Sequence, residues 1–157
     1  MRVGIGYDIH ALRKGRKLVL GGVKIPHSKG LFGHSDGDAL LHAIVDAALG
    51  AAGLGDIGGH FSDKEARWRS VSSLLFARET AALLKKKKLR VSQIDSIVVL
   101  ELPKLTLYKK AMCSSIARAF GVEVSRVNVK AKTNEGLGPV GKGQAIAATA
   151  IVLLEKL

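Results

Sequence analysis

Asp8, His10 and His42 are residues whose types and spacing could bind a metal ion. The segment RVGIGYDIH, residues 2–10, alternates between apolar side chains and a second set that ends in Asp8 and His10. This alternation predicts a half-buried strand whose polar face presents a carboxylate and an imidazole. All five histidines of the chain lie within residues 8–65, which concentrates possible ligands in one stretch. Three protein ligands with a fourth position open are typical of catalytic zinc, so we expect a zinc site.

His42 lies in the segment SDGDALLHAIVDAALGAA, whose apolar residues recur at helical spacing. We expect Ser35 to be the N-cap of this helix. Asp38 and Asp46 lie one turn before and one turn after His42, so either could orient its imidazole through a hydrogen bond. A histidine considered alone would more often be an ordinary hydrogen-bonded residue, but the joint pattern favours a ligand.

The composition indicates a single globular domain that spans residues 1–157. Hydrophobic residues make up 47% of the chain, yet no apolar run is long enough to span a membrane. The single cysteine excludes an internal disulfide, and the N-terminus lacks the pattern of a secretory signal. We therefore expect a cytoplasmic protein without a membrane partner, or a protein of the plastid stroma if the chain is a processed form.

The formal net charge of +12 allows either a nucleic-acid partner or a small anionic ligand. Aromatic residues make up only 4% and are scattered, so the sequence contains no stacking platform for single-stranded nucleic acid. The basic run Lys85–Lys88 lies at the end of a helix predicted around residues 70–87, where cations favour the helix dipole and are easily solvated. We expect a small, highly charged anionic substrate and no nucleic acid.

The remaining segments predict alternating helices and strands. LVLGGVKIP predicts a short hairpin, IDSIVVLEL and SRVNVKAKT predict strands, and YKKAMCSSIARAFG predicts a helix that ends at Gly121. The C-terminal GQAIAATAIVLLEKL is long enough for a helix, but its β-branched residues favour a strand. We therefore expect an α/β (α+β) fold, with helices packed on one face of a mixed β-sheet.

Two glycine-rich loops carry further polar side chains. GDIGGHFSDKE contains Asp56, Asp63 and Glu65, which could bind hydroxyl groups or a hard cation. KAKTNEGLGPVGKG combines phosphate donors with one carboxylate that could hold magnesium; these residues are Lys130, Lys132, Thr133 and Glu135. Each loop considered alone would more often be a plain turn.

Several segments together resemble the 2-C-methyl-D-erythritol 2,4-cyclodiphosphate synthases, over nearly the whole chain and in the same order. The segments are GYDIHAL, LGGVKIP, KGLFGHSDGDALLHAIVDAALGAAGLGDIG, HFSD, VNVKAKTNEGLG and GKGQAIAATAIVLL. The resemblance implies an α/β homotrimer with an active site at each subunit interface and zinc held by Asp8, His10 and His42. It also implies magnesium or manganese held by Glu135.

The resemblance further implies the reaction. The nucleotide diphosphate substrate is 4-diphosphocytidyl-2-C-methyl-D-erythritol 2-phosphate, whose 2-phosphate attacks the β-phosphorus, closes a cyclodiphosphate ring and expels CMP. His34 and Thr133 match residues that stabilise the transition state, and Phe61–Glu65 matches a mobile flap. The implied substrate contacts are Asp8, His10, His34, Ser35, Asp56, Ile57, Gly58, Phe61, Asp63, Glu65, Leu100, Pro103, Lys104, Thr106, Lys132, Thr133, Glu135 and Lys142.

The sequence departs from the family pattern without losing a metal ligand. Lys132 stands where the family often has threonine, and Ser62 where it often has proline. Pro139 and Lys142 stand where some members have an aromatic residue and an arginine facing the trimer axis. The resemblance therefore does not extend to the isoprenoid diphosphate binding that some members show there.

Two other functions remain open on the sequence alone. A non-catalytic basic domain with structural zinc would need a fourth protein ligand, for which His34 is the obvious candidate. A metal-dependent phosphohydrolase would use the same ligands but would release inorganic phosphate instead of a cyclic product.

Overall fold

The computed structural model describes all 157 residues. The strands are β1 (Arg2–Lys14), β2 (Leu18–Leu20), β3 (Val23–Ile25), β4 (Lys29–Leu31), β5 (Leu89–Val99), β6 (Val127–Lys132) and β7 (Ala145–Lys156). The helices are α1 (Ala39–Ala52), α2 (Ile57–His60), α3 (Ser73–Lys86), α4 (Lys109–Phe120) and α5 (Gly138–Gly141). None of these helices combines the length and the apolar character needed to cross a bilayer.

Five strands form one mixed sheet in the order β4, β1, β7, β5, β6. β1 and β5 both pair antiparallel with β7, whereas β5 and β6 are parallel. β2 and β3 form a separate two-stranded hairpin. The predicted mixed sheet is confirmed, and so is the strand at the C-terminus, because β7 occupies the centre of the sheet.

The three long helices, α1, α3 and α4, cover one face of this sheet, as predicted. α1 packs against β1 and β7, and α3 packs against α1 and β5. α4 contacts β6 and α3, and it ends at Gly121, whose left-handed backbone satisfies the last carbonyl groups of the helix. The basic residues Lys85–Lys88 are exposed at the end of α3, as a solvated helix end requires. The core therefore lies between the sheet and the helices.

The burial of the two faces of β1 is opposite to the sequence interpretation. Val3, Ile5 and Tyr7 are exposed, whereas the face that carries Gly4 and Gly6 lies against α1. A Cβ atom on Gly6 would lie 2.0 Å from the carbonyl oxygen of Ala43, and one on Gly4 would lie 2.1 Å from that of Ala47. Gly4 and Gly6 lie on the buried face because α1 approaches the backbone of β1 more closely than any side chain at these two positions would allow.

The N-cap of α1 lies three residues later than predicted. Asp38, not Ser35, caps the helix, and its Oδ1 accepts the N–H of Leu41 at 3.0 Å. The same carboxylate accepts the N–H groups of Gly21 and Gly22 at 2.9 and 2.7 Å, so it also joins the β2–β3 turn to α1. Burial and the charge of Asp36 raise the pKa of Asp38 to about 6, although the three N–H donors oppose this shift.

Candidate functional site

The three predicted metal ligands converge on one point. β1 supplies Asp8 and His10, and α1 supplies His42 from the helix that packs on this strand. Oδ2 of Asp8 lies 3.0 Å from Nδ1 of His10 and 3.0 Å from Nδ1 of His42. One ligand atom from each residue lies within 4.8 Å of the others, so the group could hold a metal ion.

The environment of His10 fits a ligand atom. Its Nδ1 is buried and makes no hydrogen bond, because the contact with Asp8 is short but not aligned for one. The other side of the ring is backed by Gly33, where a Cβ atom would lie 2.8 Å from Nε2 of His10. A buried nitrogen without a well-aligned hydrogen-bond partner costs free energy, and coordination of a cation would remove that cost.

The titration of Asp8 and His10 reflects their proximity. Burial raises the pKa of the Asp8 carboxyl, but the contacts with His10 and His42 outweigh burial and lower this pKa to about 2. Burial lowers the pKa of His10, whereas the Asp8 carboxylate raises it, and the net shift of the pKa is upward. Asp8 is therefore ionised at neutral pH, as a metal ligand must be.

A cavity of about 400 Å³ opens beside the three ligands. It brings together several residues that the resemblance implied as substrate contacts. Its lining residues are Asp8, His10, His34, Ser35, His42, Ile57, Gly58, Phe61, Asp63, Trp68 and Phe76. Sequence reasoning missed Trp68 and Phe76, which pack with Phe61 at ring distances of 5.3 Å (Trp68 to Phe61) and 4.7 Å (Phe76 to Phe61). The predicted flap thus begins at a residue held in an aromatic cluster.

The two carboxylates predicted to orient His42 have other partners. Asp38 caps α1, and Oδ1 of Asp46 accepts the N–H of Ile57 at 3.0 Å. Helical spacing placed both residues one turn from His42, but their side chains bond to backbone N–H groups instead. Asp56, a predicted substrate contact, caps α2 by accepting the N–H of Gly59 at 2.9 Å and is exposed.

The partner of His42 comes from α3. Nε2 of His42 lies 2.8 Å from Oγ of Ser73 and 3.2 Å from Oγ of Ser35. The hydroxyl of Ser73 in turn donates to Oδ1 of Asp36 at 2.5 Å. No local spacing could have revealed Ser73, because it lies 31 residues beyond His42 in the sequence.

Arg16 anchors the loop that carries His34 and Ser35. Its guanidinium donates to the carbonyl oxygens of Leu31 at 3.3 Å, Gly33 at 3.2 Å and Ser35 at 3.0 Å. Five guanidinium N–H groups in a fixed fork suit several carbonyl acceptors at once. The side chain therefore fixes the backbone path from β4 towards α1, a function that sequence reasoning also missed.

Six further predicted contacts line a second, separate cavity of about 150 Å³. Its lining includes Leu100, Pro103, Lys104, Thr106, Lys132 and Thr133. Nearby, the Thr133 hydroxyl donates to Oε1 of Glu135 at 2.6 Å, and both residues are exposed. The chain does not unite this cavity with the metal-ligand cavity, since the two have no lining residue in common. Lys142 is exposed and lines neither of them.

Comparisons with known proteins cover almost the whole chain. The model of the YgbB family matches residues 1–155. A 2-C-methyl-D-erythritol 2,4-cyclodiphosphate synthase of Desulfosudis oleivorans is 55% identical over 98% of this chain and 92% of its own length. Its counterpart in Syntrophomonas wolfei is 53% identical over 99% of both chains.

A solved structure described as the CDP-bound form of a 2C-methyl-D-erythritol-2,4-cyclodiphosphate synthase has the same fold. It superimposes with a TM-score of 0.90 at 40% identity, and the match covers 98% of this chain and all of that one. Family model, full-length relatives and solved structure therefore agree. This chain belongs to the YgbB family and is an enzyme of the 2-C-methyl-D-erythritol 2,4-cyclodiphosphate synthase type.

Proposed function

We propose that the protein converts 4-diphosphocytidyl-2-C-methyl-D-erythritol 2-phosphate to 2-C-methyl-D-erythritol 2,4-cyclodiphosphate and CMP, a step of isoprenoid biosynthesis. An oxygen of the 2-phosphate forms a bond to the β-phosphorus, and the bond from this phosphorus to the oxygen of CMP breaks. The observation that carries the proposal is the convergence of Asp8, His10 and His42 beside a cavity that also contains His34.

The donor set suits zinc. One carboxylate and two imidazoles are ligands that zinc accepts, and the buried, unbonded Nδ1 of His10 fits a ligand atom. Glu135 presents an exposed carboxylate, which is enough for magnesium or manganese because these ions also take ligands from substrate phosphates. When bound, zinc and magnesium or manganese would neutralise the charge that develops on the phosphates.

The side chains of the protein would position the phosphates. His34 is exposed at the cavity and Ser35 is buried behind it, with its backbone fixed by Arg16. Thr133 and Lys132 line the second cavity, where a hydroxyl and an ammonium group suit a diphosphate. In phosphoryl transfer, positioning and charge neutralisation supply most of the catalysis, so no protein nucleophile is needed.

The geometry favours this enzyme over a non-catalytic domain with structural zinc. A structural zinc site is closed by a fourth protein ligand, but the metal-ligand group has three members and does not include His34. A phosphohydrolase would release inorganic phosphate from the same substrate. Phosphorus NMR of the reaction mixture separates the two reactions: we expect the signals of a cyclic diphosphate and CMP, and inorganic phosphate as the product would refute the synthase assignment.

We further propose that the active enzyme is a homotrimer whose subunit interfaces unite the two cavities. A poorly covered glycine face of β1 would be one reason for a trimer, but α1 covers that face. The opposite face provides the better reason. It presents an outer apolar strip formed by Val3, Ile5, Tyr7, Ile9 and Ile151. Ile5 is 70% exposed and pairs with Ile151 on β7, and contiguous exposed apolar surface of this kind marks an interface.

Ile5→Lys should dissociate the trimer. A lysine in the middle of the outer apolar strip would place a charge in the interface, where its desolvation is costly. We expect light scattering to give about three times the chain mass for the wild type and the monomer mass for Ile5→Lys, with loss of turnover. Val124→Lys alters an exposed valine outside the sheet and should remain trimeric. A fully active monomer would refute sites built at the interface.

Lys132→Thr tests whether this lysine contacts the diphosphate. The residue is exposed at the end of β6 and lines the second cavity. Because a solvent-exposed charge contact contributes at most about 1 kcal/mol, we expect KM to rise about threefold to fivefold with unchanged stability. Lys156→Thr, which alters an exposed lysine at the end of β7, should leave KM unchanged. Identical KM values for Lys132→Thr and wild type at all salt concentrations would exclude a role in the site.

A further inference from the structure

The second ring nitrogen of His42 is the start of a hydrogen-bonded chain that the proposed reaction does not use. Nε2 of His42 lies 2.8 Å from the hydroxyl oxygen of Ser73, and this hydroxyl donates to Asp36 at 2.5 Å. The carboxylate of Asp36 is itself fixed by two backbone donors. Its Oδ2 accepts the N–H of Ser73 at 3.0 Å, and its Oδ1 accepts the N–H of Asp38 at 3.2 Å. The chain thus ends on a carboxylate fixed by backbone donors.

The direction of the chain follows from its members. A carboxylate only accepts hydrogen bonds, so the Ser73 hydroxyl gives its hydrogen to Asp36 and presents a lone pair to His42. Nε2 of His42 must then carry the hydrogen of the neutral ring. Nδ1 lies 3.0 Å from Oδ2 of Asp8, which also only accepts, so a proton would occupy this contact in the absence of a cation. When Asp8 and His42 bind a metal ion instead, Nδ1 supplies the lone pair of the ligand and Nε2 keeps its hydrogen.

Capping of α3 does not account for the Ser73 hydroxyl. The N-cap is the neighbouring Ser72, whose Oγ accepts the N–H of Leu74 at 3.3 Å. The side chain of Ser73 is fully buried, and burial of a hydroxyl is costly unless it is bonded. The Ser73 hydroxyl makes its hydrogen bonds to His42 and Asp36, so these contacts, and not the capping of α3, account for a serine at this position.

We propose that Ser73 and Asp36 are positioning residues that fix the tautomer and the ring orientation of His42 as a metal ligand. The inference rests on the proposed metal site. It assigns to Asp36 and Ser73 together the role that a single carboxylate often has behind a zinc-bound histidine. Ser35 also contacts this nitrogen. Its Oγ lies 3.2 Å from Nε2 of His42 and 3.4 Å from Oγ of Ser73.

The test compares Ser73→Ala with Ser72→Ala in the full-length protein. We expect zinc, measured by competition with a chromophoric chelator, to bind Ser73→Ala about 10-fold to 100-fold more weakly than wild type. Ser72→Ala removes the adjacent hydroxyl at the start of the same helix and should keep wild-type affinity. A second readout is the visible spectrum of the cobalt(II)-loaded proteins, which should change in Ser73→Ala only, since it reports ligand geometry.

The outcomes separate this inference from the metal site itself. Unchanged zinc affinity or an unchanged cobalt spectrum in folded Ser73→Ala overturns the inference alone. A wild-type protein that binds neither ion overturns the metal site and the inference with it. If circular dichroism shows that Ser73→Ala does not fold, Asp36→Asn is judged by the same two criteria, because it removes the charge that orients the Ser73 hydroxyl.

Discussion

Replacement of His42 with alanine is expected to abolish metal binding and turnover while the fold is retained. A metal ion contributes several kcal/mol to a phosphoryl transfer, so the loss of one of three ligands should lower kcat by about a thousandfold or more. The imidazole is 12% exposed and lines the cavity, so its removal enlarges this cavity and does not create a new void in the apolar core. Metal analysis and the rate of CMP release measure the effect.

His27→Ala is the matched control for this variant. His27 is half-buried in the loop between β3 and β4 and belongs to neither the metal-ligand group nor its cavity. Its replacement should leave metal content and turnover unchanged. Full metal content together with full turnover in His42→Ala would show that Asp8, His10 and His42 are not the metal site.

Gly6→Ala is expected to cause a large loss of stability. The added Cβ would lie 2.0 Å from the carbonyl oxygen of Ala43 and 2.8 Å from the backbone nitrogen of Ala47. Both neighbours are backbone atoms of a helix, so relief requires β1 and α1 to move apart. Overpacking of this kind costs about 3 kcal/mol or more. The same movement would separate His42 from Asp8, so metal affinity should fall with stability.

Gly50→Ala is the control for the chemistry of the substitution. Gly50 lies in α1 with no atom within 4 Å of the position of an added Cβ. Alanine in a helix is about 0.5–1 kcal/mol more favourable than glycine, so this variant should be slightly more stable than wild type. Urea denaturation measures both variants. A free energy of unfolding for Gly6→Ala within about 1 kcal/mol of wild type would contradict the close approach of α1.

The group of three candidate metal ligands could be predicted from the sequence because the signals of its members are local. Alternation along β1 placed Asp8 and His10 on one face, and helical periodicity placed His42 on a helix. The sequence did not reveal which face of β1 is buried, because periodicity is the same for either choice. The buried face is determined by the contacts of Gly4 and Gly6 with α1, and these contacts join segments that are distant in the sequence.

The residues that hydrogen-bond to His42 and to the loop after β4 could not be predicted, because they too belong to segments that are distant in the sequence. Asp38 and Asp46 have the right spacing from His42, yet backbone N–H groups of distant turns bind both carboxylates. Ser73 supports His42 from another helix, and Arg16 fixes a loop that begins 15 residues later in the sequence. Hydrogen bonds across such separations depend on the tertiary fold and leave no periodic signal.

Release of CMP from 4-diphosphocytidyl-2-C-methyl-D-erythritol 2-phosphate, followed with and without a chelator, tests the proposed function most directly. We predict that the purified protein releases CMP, that a chelator stops the release, and that zinc together with magnesium or manganese restores it. The cyclic diphosphate should appear in an amount equal to the CMP. No CMP from the fully metal-loaded trimer, or release that continues unchanged in excess chelator, would contradict the proposed metal-assisted cyclisation.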